Sequence, residues 1–151
     1  MMRINVFSVK QVKERGGLYD LDNRILRCPE DAYNIVESVL KLSESANEIF
    51  GIISLNTKNA VAGVHVISIG SVNAAIVHPR EVYKAAILNN ASSIVCFHNH
   101  PSGICTPSHE DLILTERLME SGRILGIDLL DHIIVGNGYL SLKDNGDMRD
   151  M

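Results

Sequence analysis

Residues 97–111, which read FHNHPSGICTPSHED, contain two histidines one residue apart, His98 and His100, followed by Ser108 and Asp111. The preceding residues 93–97 (SIVCF) are apolar and rich in β-formers, which predicts a buried strand. Because side chains alternate along an extended segment, His98 and His100 point to one side and the asparagine between them to the other. Pro101 disfavours a helical conformation at His100, which keeps the pair extended. Two imidazoles on one face can close on a single metal ion.

The loop after His100 leads into a predicted helix. Thr106 can cap this helix, with Pro107 at its first position. Ser108 and Asp111 then share one face of the first turn, where the aspartate can supply a third ligand. Two histidines and an aspartate with an open fourth position are typical of a catalytic zinc ion. On spacing alone, hydrogen-bonded strand-end histidines fit as well as a metal site, and Ser108 alone is better explained as an ordinary helix-start residue.

The string HNHP at residues 98–101, followed by Ser108 and Asp111, resembles the His-x-His-Pro…Ser-x-x-Asp signature of JAMM (MPN+) metallopeptidases. The longer string HNHPSG…TPS..D, followed by LLDHIIVG, is similar to the RadC-like branch of bacterial JAMM-domain proteins, over about residues 48–145. The resemblance implies an α/β (α+β) fold, a mixed β-sheet flanked by helices with cytidine-deaminase-like architecture. It also implies a zinc ion bound by His98, His100 and Asp111.

A zinc ion with three protein ligands keeps a water molecule, lowers the pKa of that water to about 7 and polarises a carbonyl group. Peptide hydrolysis then needs a base, and a carboxylate is the natural choice. The residues alone leave the base open among five glutamates: Glu44, Glu48, Glu81, Glu110 and Glu116. The family places its catalytic glutamate at the start of an upstream strand, where Glu48 opens EIFGIISL. A solvated strand-end carboxylate is the alternative for Glu48.

The resemblance gives Ser108 a second role, which is to donate a hydrogen bond to the oxyanion of the tetrahedral intermediate. Such a donor is typically worth about 10²–10³ in rate. Within the loop, Asn99 and Ser102 are expected to form hydrogen bonds, and Gly103 permits the turn. Cys105 lies near the predicted metal and either approaches it or is a free thiol.

The other histidines have less specific settings. We interpret His65 and His78 as structural, and we expect His109 to face solvent. Asp131 and His132 fall within LLDHIIVG. They fit two roles equally well: support for a metal-bound histidine, or a polar pair in the core.

The composition is that of one globular domain. A chain of 151 residues can bury a real core, and 46% hydrophobic with 21% charged residues is ordinary. No apolar run approaches the roughly 18 residues of a membrane span, and the start of the chain has no signal-peptide core. The three cysteines form no CxxC pair, which fits a reducing cytoplasm and rules against a cysteine zinc cage. We therefore expect a cytoplasmic protein without a membrane partner.

The charge balance bears on the partners. The chain has 14 basic and 18 acidic residues and a net charge of −4, without a cluster of lysine and arginine. Nucleic-acid binders usually show such a patch. Nucleic acid therefore stays open as a partner but has no support from charge, and the oligomeric state is equally open.

Hydrophobic periodicity and turn residues predict the elements along the chain. These are an edge strand at 1–9, a helix at 29–42, a hairpin of strands 48–55 and 60–69, a loop with a short strand at 71–77, a helix opened by Pro79 and ended by Asn89 and Asn90, a strand at 93–98, a helix at 107–121 ended by Gly122, and strands at 127–135 and 139–142. We divide the chain into an N-terminal extension at 1–47 with one helix that packs on the domain, the metallopeptidase-like domain at 48–145 and a polar tail at 146–151.

Three functions follow from these patterns. The first is a zinc-dependent hydrolase that cleaves a peptide or isopeptide bond in a protein or peptide substrate. The second is a DNA-repair-associated, DNA-binding RadC-like protein. The third is a non-catalytic MPN interaction module. A (β/α)₈ amidohydrolase needs about 200 residues or more, and zinc deaminases need His-x-Glu and Pro-Cys-x-x-Cys, so neither fits this sequence.

Overall fold

The computed structural model describes residues 1–19, 21, 24–70 and 77–149. Within these ranges the chain forms a sheet of five strands, three α-helices and one short 3₁₀ helix. In chain order they are α1 (Pro29–Leu40), the 3₁₀ helix (Leu42–Glu44), β1 (Glu48–Leu55), β2 (Val61–Gly70), α2 (Pro79–Leu88), β3 (Ser93–Asn99), α3 (His109–Leu125), β4 (Asp128–Gly136) and β5 (Gly138–Ser141).

The sheet is mixed, with the spatial order β2-β1-β3-β4-β5. The pairs β1/β2, β1/β3 and β4/β5 are antiparallel, whereas β3 and β4 are parallel. Parallel neighbours need a long crossover connection, and α3 provides it. The predicted mixed sheet flanked by helices is confirmed, and so is the predicted β1–β2 hairpin.

Helices cover both faces of the sheet. Val95 and Phe97 of β3 belong to a core cluster that contains the buried residues of α1. Ile94 and Cys96 belong to a second cluster with buried residues of α2 and α3. Strand alternation therefore places the next residue of that second face, His98, on the side of the sheet that α3 covers.

Two helices begin at a proline, as predicted. α1 starts at Pro29 and α2 at Pro79, the position where the missing N–H costs least. The predicted helix at 29–42 ends early, at Leu40, because Lys41 adopts a left-handed conformation with φ of 49°.

The predicted bounds of α3 were wrong at both ends. The helix begins at His109, because Ser108 and not Thr106 is its N-cap residue: Ser108 Oγ accepts a hydrogen bond from the Asp111 N–H at 3.1 Å. The helix ends at Leu125, where Gly126 has a φ of 73° and forms the left-handed cap.

Gly122 therefore lies inside α3 and does not end it. The residue is buried, and a Cβ atom built there would clash with the carbonyl oxygen of Ile127 and the hydroxyl of Tyr83. Tyr83 on α2 donates a hydrogen bond to the Leu118 carbonyl at 2.6 Å. The glycine is thus explained by the close approach of α2 and of the chain entering β4.

The predicted edge strand at 1–9 was also wrong. Residues 1–19 contain neither helix nor strand, and the apolar side chains of Ile4, Val6 and Phe7 are exposed. Their pattern suggested a strand, but no sheet edge pairs with this segment. Residues 71–76 of the predicted loop and short strand lie outside the described residues, and the division of the chain into 1–47, 48–145 and 146–151 stays a prediction. No helix in the described ranges has the length and apolar character of a membrane span.

We expect Gly122→Ala to destabilise the protein. Helix propensity alone would make alanine about 1 kcal/mol better than glycine inside a helix. Overpacking against Tyr83 and Ile127 typically costs about 1–3 kcal/mol, so the two effects have opposite signs and packing should win. Urea unfolding of Gly122→Ala should show a lower free energy of unfolding, whereas the neighbouring Ser121→Ala should stay within about 0.5 kcal/mol of wild type. An unchanged or higher value for Gly122→Ala would contradict the packing account.

Candidate metal centre

The side chains of His98, His100 and Asp111 converge where β3 ends and α3 begins. His98 Nε2 lies 3.0 Å from His100 Nε2 and 3.3 Å from Asp111 Oδ1. His100 Nε2 lies 3.2 Å from Asp111 Oδ2. One ligand atom from each residue lies within 4.8 Å of the others, so the three side chains can hold one metal ion. His98 and Asp111 are buried, and His100 is the more accessible member.

A capping box fixes the aspartate. Asp111 Oδ2 accepts a hydrogen bond from the Ser108 N–H at 2.8 Å, while Ser108 Oγ accepts from the Asp111 N–H. The reciprocal bonds satisfy two backbone donors of the first turn and hold the carboxylate over the helix start. Oδ1 accepts no bond from the cap and faces His98. Ser108 is therefore the helix-start residue that its pattern allowed, and its catalytic role stays a prediction.

The backbone of the loop orients His100. His100 Nδ1 lies 2.7 Å from the carbonyl oxygen of Ile104, which can only accept, so Nδ1 carries a proton. In the neutral ring Nε2 then has the free lone pair that a metal needs. The His100 N–H donates to Val135 O, and the Gly103 N–H donates to His100 O, so the loop is tied to β4 and to itself. Two imidazole nitrogens and a carboxylate oxygen are a donor set that suits zinc.

His132 contacts the centre from below. Its Nε2 lies 2.7 Å from His98 Nδ1, and both rings are fully buried. Asp131 points elsewhere: its carboxylate accepts from the Ser141 hydroxyl and from the Lys143 N–H. The two residues of this pair therefore have different roles. His132 contacts the predicted ligand His98, whereas Asp131 anchors β5.

The charges of the group depend on one another. Burial alone would raise the pKa of Asp111, but the imidazoles of His100 and His98 beside the carboxylate outweigh it and hold that pKa well below its usual value. The pKa of His100 is raised, first by its hydrogen bond to Asp111 and then, against the effect of burial, by the Ile104 carbonyl. Burial lowers the pKa of His132 well below its usual value. The pocket thus favours a carboxylate that faces a cation.

Glu48 lies at the edge of this group. β1 and β3 are antiparallel and pair Phe50 with His98. If this register is continued by two residues, Glu48 lies opposite His100. The charge of Glu48 also contributes to the raised pKa of His100, after the hydrogen bonds and charge of its nearer partners. The predicted base is thus beside the predicted ligands, whereas its catalytic role is untested.

The expectation that Asn99 bonds within the loop was wrong. Its Oδ1 accepts from the Ile49 N–H at 2.7 Å, and its Nδ2 donates to the Asn47 carbonyl at 2.9 Å. Strand alternation directs Asn99 away from the histidines, toward the start of β1. The sequence reasoning missed this clamp, which fixes the backbone on both sides of Glu48. Ser102 does bond within the loop, accepting from the Ile104 N–H at 3.3 Å.

The remaining candidates lie apart from the convergence point. Cys105 is a free thiol beside the backbone of Gly136 and does not belong to the His-His-Asp group. Burial raises its pKa. His65 contacts the side-chain oxygen of Asn89 at 2.9 Å, as expected of a structural residue, and His109 is exposed as predicted.

We expect protein purified without a metal-affinity tag to contain about one zinc ion per chain, because the three ligand atoms are already gathered. His98→Ala and Asp111→Asn should each lose it, and asparagine keeps an acceptor for the Ser108 N–H so that the cap survives. His109→Ala, which removes an exposed histidine two residues from Asp111, should keep the metal. Mass-spectrometric metal analysis measures all four proteins, and zinc retained at the wild-type level in both ligand variants would rule out this site.

This chain is similar in sequence to several known proteins. The family model described as "RadC-like JAB domain" matches residues 26–147. A UPF0758 protein of Methanosarcina mazei is 41% identical over 157 residues, which cover 97% of this chain and 68% of that protein. UPF0758 proteins of Listeria monocytogenes and Geobacillus thermodenitrificans are 54% and 53% identical, over 81% and 83% of this chain. The matched part is only 54% and 55% of those two proteins, so the chain spans about half their length. The chain therefore belongs to the family of RadC-like JAB domains.

Proposed function

We propose that this chain is a zinc-dependent hydrolase that cleaves a peptide or isopeptide bond of a protein or peptide substrate with a metal-activated water. The observation that carries the proposal is the convergence of His98, His100 and Asp111 with Glu48 beside them. A bound zinc ion would supply the acidity of its water and polarise the scissile carbonyl. Three protein ligands leave a fourth position for that water, as in other catalytic zinc sites.

Glu48 is proposed as the general base. Its carboxylate starts β1 at the rim of the site and is partly exposed, so water and substrate can reach it. The Asn99 clamp holds the adjacent backbone, which limits the movement of Glu48 relative to His100. The carboxylate would take the proton of the attacking water and deliver it to the leaving amine.

Ser108 is proposed as the oxyanion donor. The cap uses a lone pair of Ser108 Oγ and leaves its hydroxyl proton available to another acceptor. The side chain is exposed at the N-terminus of α3, where the helix dipole also favours negative charge. A hydroxyl at this place can donate to the oxygen that becomes negative as the carbonyl is attacked.

The alternatives have less support. An intact ligand group favours a catalytic domain over a non-catalytic interaction module. The net charge of −4 favours a protein substrate over nucleic acid. We also propose a cytoplasmic location, which the three free thiols support.

The test of Glu48 is a cleavage screen with the zinc-loaded protein on a proteome-derived peptide library in ¹⁸O-water. New carboxyl termini that carry the heavy isotope identify hydrolysis by mass spectrometry. Glu48→Gln should keep its zinc and lose about 10²–10⁴ in rate, the usual contribution of a general base. Glu44→Gln, the same change at an exposed glutamate four residues earlier, should cleave like wild type.

Full activity in Glu48→Gln would refute the base assignment. No labelled product from zinc-loaded wild type, over peptide and isopeptide-linked libraries, would refute the hydrolase itself.

For Ser108, we expect Ser108→Ala to lower kcat by about 10²–10³. The lost cap should also lower the free energy of unfolding by about 1 kcal/mol. Ser108→Thr keeps both the cap and the hydroxyl and should restore most of kcat. Steady-state kinetics on a cleaved peptide, paired with urea unfolding, separates the two effects. A Ser108→Ala enzyme that loses stability but not kcat would leave the serine as a cap alone.

A further inference from the structure

A chain of three hydrogen bonds runs beneath the metal centre from the backbone of Asp111 to the ring of His98. Thr115 Oγ1 donates to the Asp111 carbonyl oxygen at 2.7 Å and lies 2.7 Å from His132 Nδ1. His132 Nε2 lies 2.7 Å from His98 Nδ1. Thr115 is 1% exposed, and both rings are 0% exposed, so water does not compete for these bonds.

The carbonyl group of Asp111 determines which atom donates in each of these three hydrogen bonds. A carbonyl oxygen carries no proton, so the Thr115 hydroxyl must donate its only proton to Asp111. The hydroxyl can then only accept from His132 Nδ1, which must therefore carry a proton. Within the described residues, no buried side-chain polar atom lacks a partner, and each ring nitrogen of His132 has one neighbour within hydrogen-bonding distance.

The direction passes through His132 to His98. His132 is fully buried, and its two ring nitrogens face a hydroxyl and an imidazole, not a carboxylate. A neutral imidazole has one N–H, so with Nδ1 protonated its Nε2 accepts. The proton of the last bond therefore belongs to His98 Nδ1. His98 Nε2 is left with its lone pair, at the point where His100 Nε2 and Asp111 Oδ1 converge.

We propose that Thr115 and His132 are positioning residues that fix the tautomer of His98, so that its Nε2 lone pair faces the metal. The inference rests on the proposed function only because it assumes that a metal binds. The tautomer itself is expected in the metal-free protein as well. His100 has the same tautomer by a separate route, the Ile104 carbonyl. Both imidazoles thus direct Nε2 toward the metal position. A backbone carbonyl orients His100, and the buried chain of Thr115 and His132, which we call the relay, orients His98.

The relay also links two of the ligands mechanically. Its first acceptor is the carbonyl of Asp111, and its last donor is His98, so it joins α3 to β3 through β4. A threonine that bonds to the carbonyl four residues earlier usually destabilises its helix slightly. Thr115 instead holds a buried imidazole in one orientation, and partners of this kind typically affect metal affinity by about 10–100-fold.

Side-chain ¹⁵N NMR of the metal-free protein reads the tautomers directly. We expect His98 and His132 of wild type both to be protonated at Nδ1. Thr115→Val has the same shape but cannot accept, so His132 should move its proton to Nε2 and donate to His98, whose own proton then moves to Nε2. Thr115→Ser keeps the hydroxyl and should restore the wild-type tautomers. Thr57→Val is the matched control at an exposed turn.

Zinc affinity, measured by competition with a chelator, is the second readout. Thr115→Val should bind zinc about 10–100-fold more weakly, and Thr115→Ser and Thr57→Val should bind like wild type. A wild-type His98 protonated at Nε2 would overturn the relay, and this result needs no variant to fold. Unchanged tautomers in a folded Thr115→Val would overturn it too. If wild type shows the expected tautomers but takes up no zinc, the proposed function fails, and the tautomer assignment stands.

Discussion

The candidate metal centre depends on the capping box at the start of α3, where one carboxylate meets two requirements. Asp111 accepts the Ser108 N–H and so satisfies part of a helix N-terminus that would otherwise have unpaired donors. The same carboxylate faces His98 and His100. Since the helix can only begin where this cap forms, the position of α3 and the position of the carboxylate are determined together.

Burial explains why this group suits a cation. A buried carboxylate without a partner is costly, and two imidazole lone pairs pointed at it would add repulsion. In the metal-free protein, the raised pKa of His100 means that a proton can fill this role, chiefly through the hydrogen bond to Asp111. A zinc ion would replace that proton, so metal binding and proton release are coupled. The surrounding partners, the Ile104 carbonyl and His132, keep the ring nitrogens aimed at the shared point.

Much of the fold followed from local patterns. Alternation along β3 correctly placed the two histidines together, and the β1–β2 hairpin was visible from the turn at residues 56–59. The end of α3 was not predictable in this way. A glycine often ends a helix, but Gly122 is required inside α3 because Tyr83, which is distant in sequence, packs against it. The exposed N-terminal segment was wrongly predicted because a strand-like pattern forms a strand only where a sheet edge pairs with it.

In the candidate site, too, local contacts were predictable and contacts between residues distant in sequence were not. The convergence of His98, His100 and Asp111 was predictable because these residues lie at most 13 positions apart in the chain (111 − 98), whereas the cap was wrongly assigned to Thr106. The Asn99 clamp and the Thr115–His132 relay join residues that are up to 52 positions apart. The register of β1 with β3 brings Asn99 to the start of β1, and the packing of α3 on β4 brings Thr115 to His132. A polar residue that alternates away from a motif, such as Asn99, is the one local signal that could have pointed to the clamp.

We propose that two imidazoles and one carboxylate, without sulfur, hold a zinc ion with an open position. Zinc X-ray absorption spectroscopy of protein purified without a metal-affinity tag identifies the atoms that bind the ion. We expect a four-coordinate shell of nitrogen and oxygen at about 2.0–2.1 Å, with outer scattering from two imidazole rings. A sulfur ligand at about 2.3 Å, which would bring Cys105 into the site, or a chain that takes up no zinc at all would contradict it.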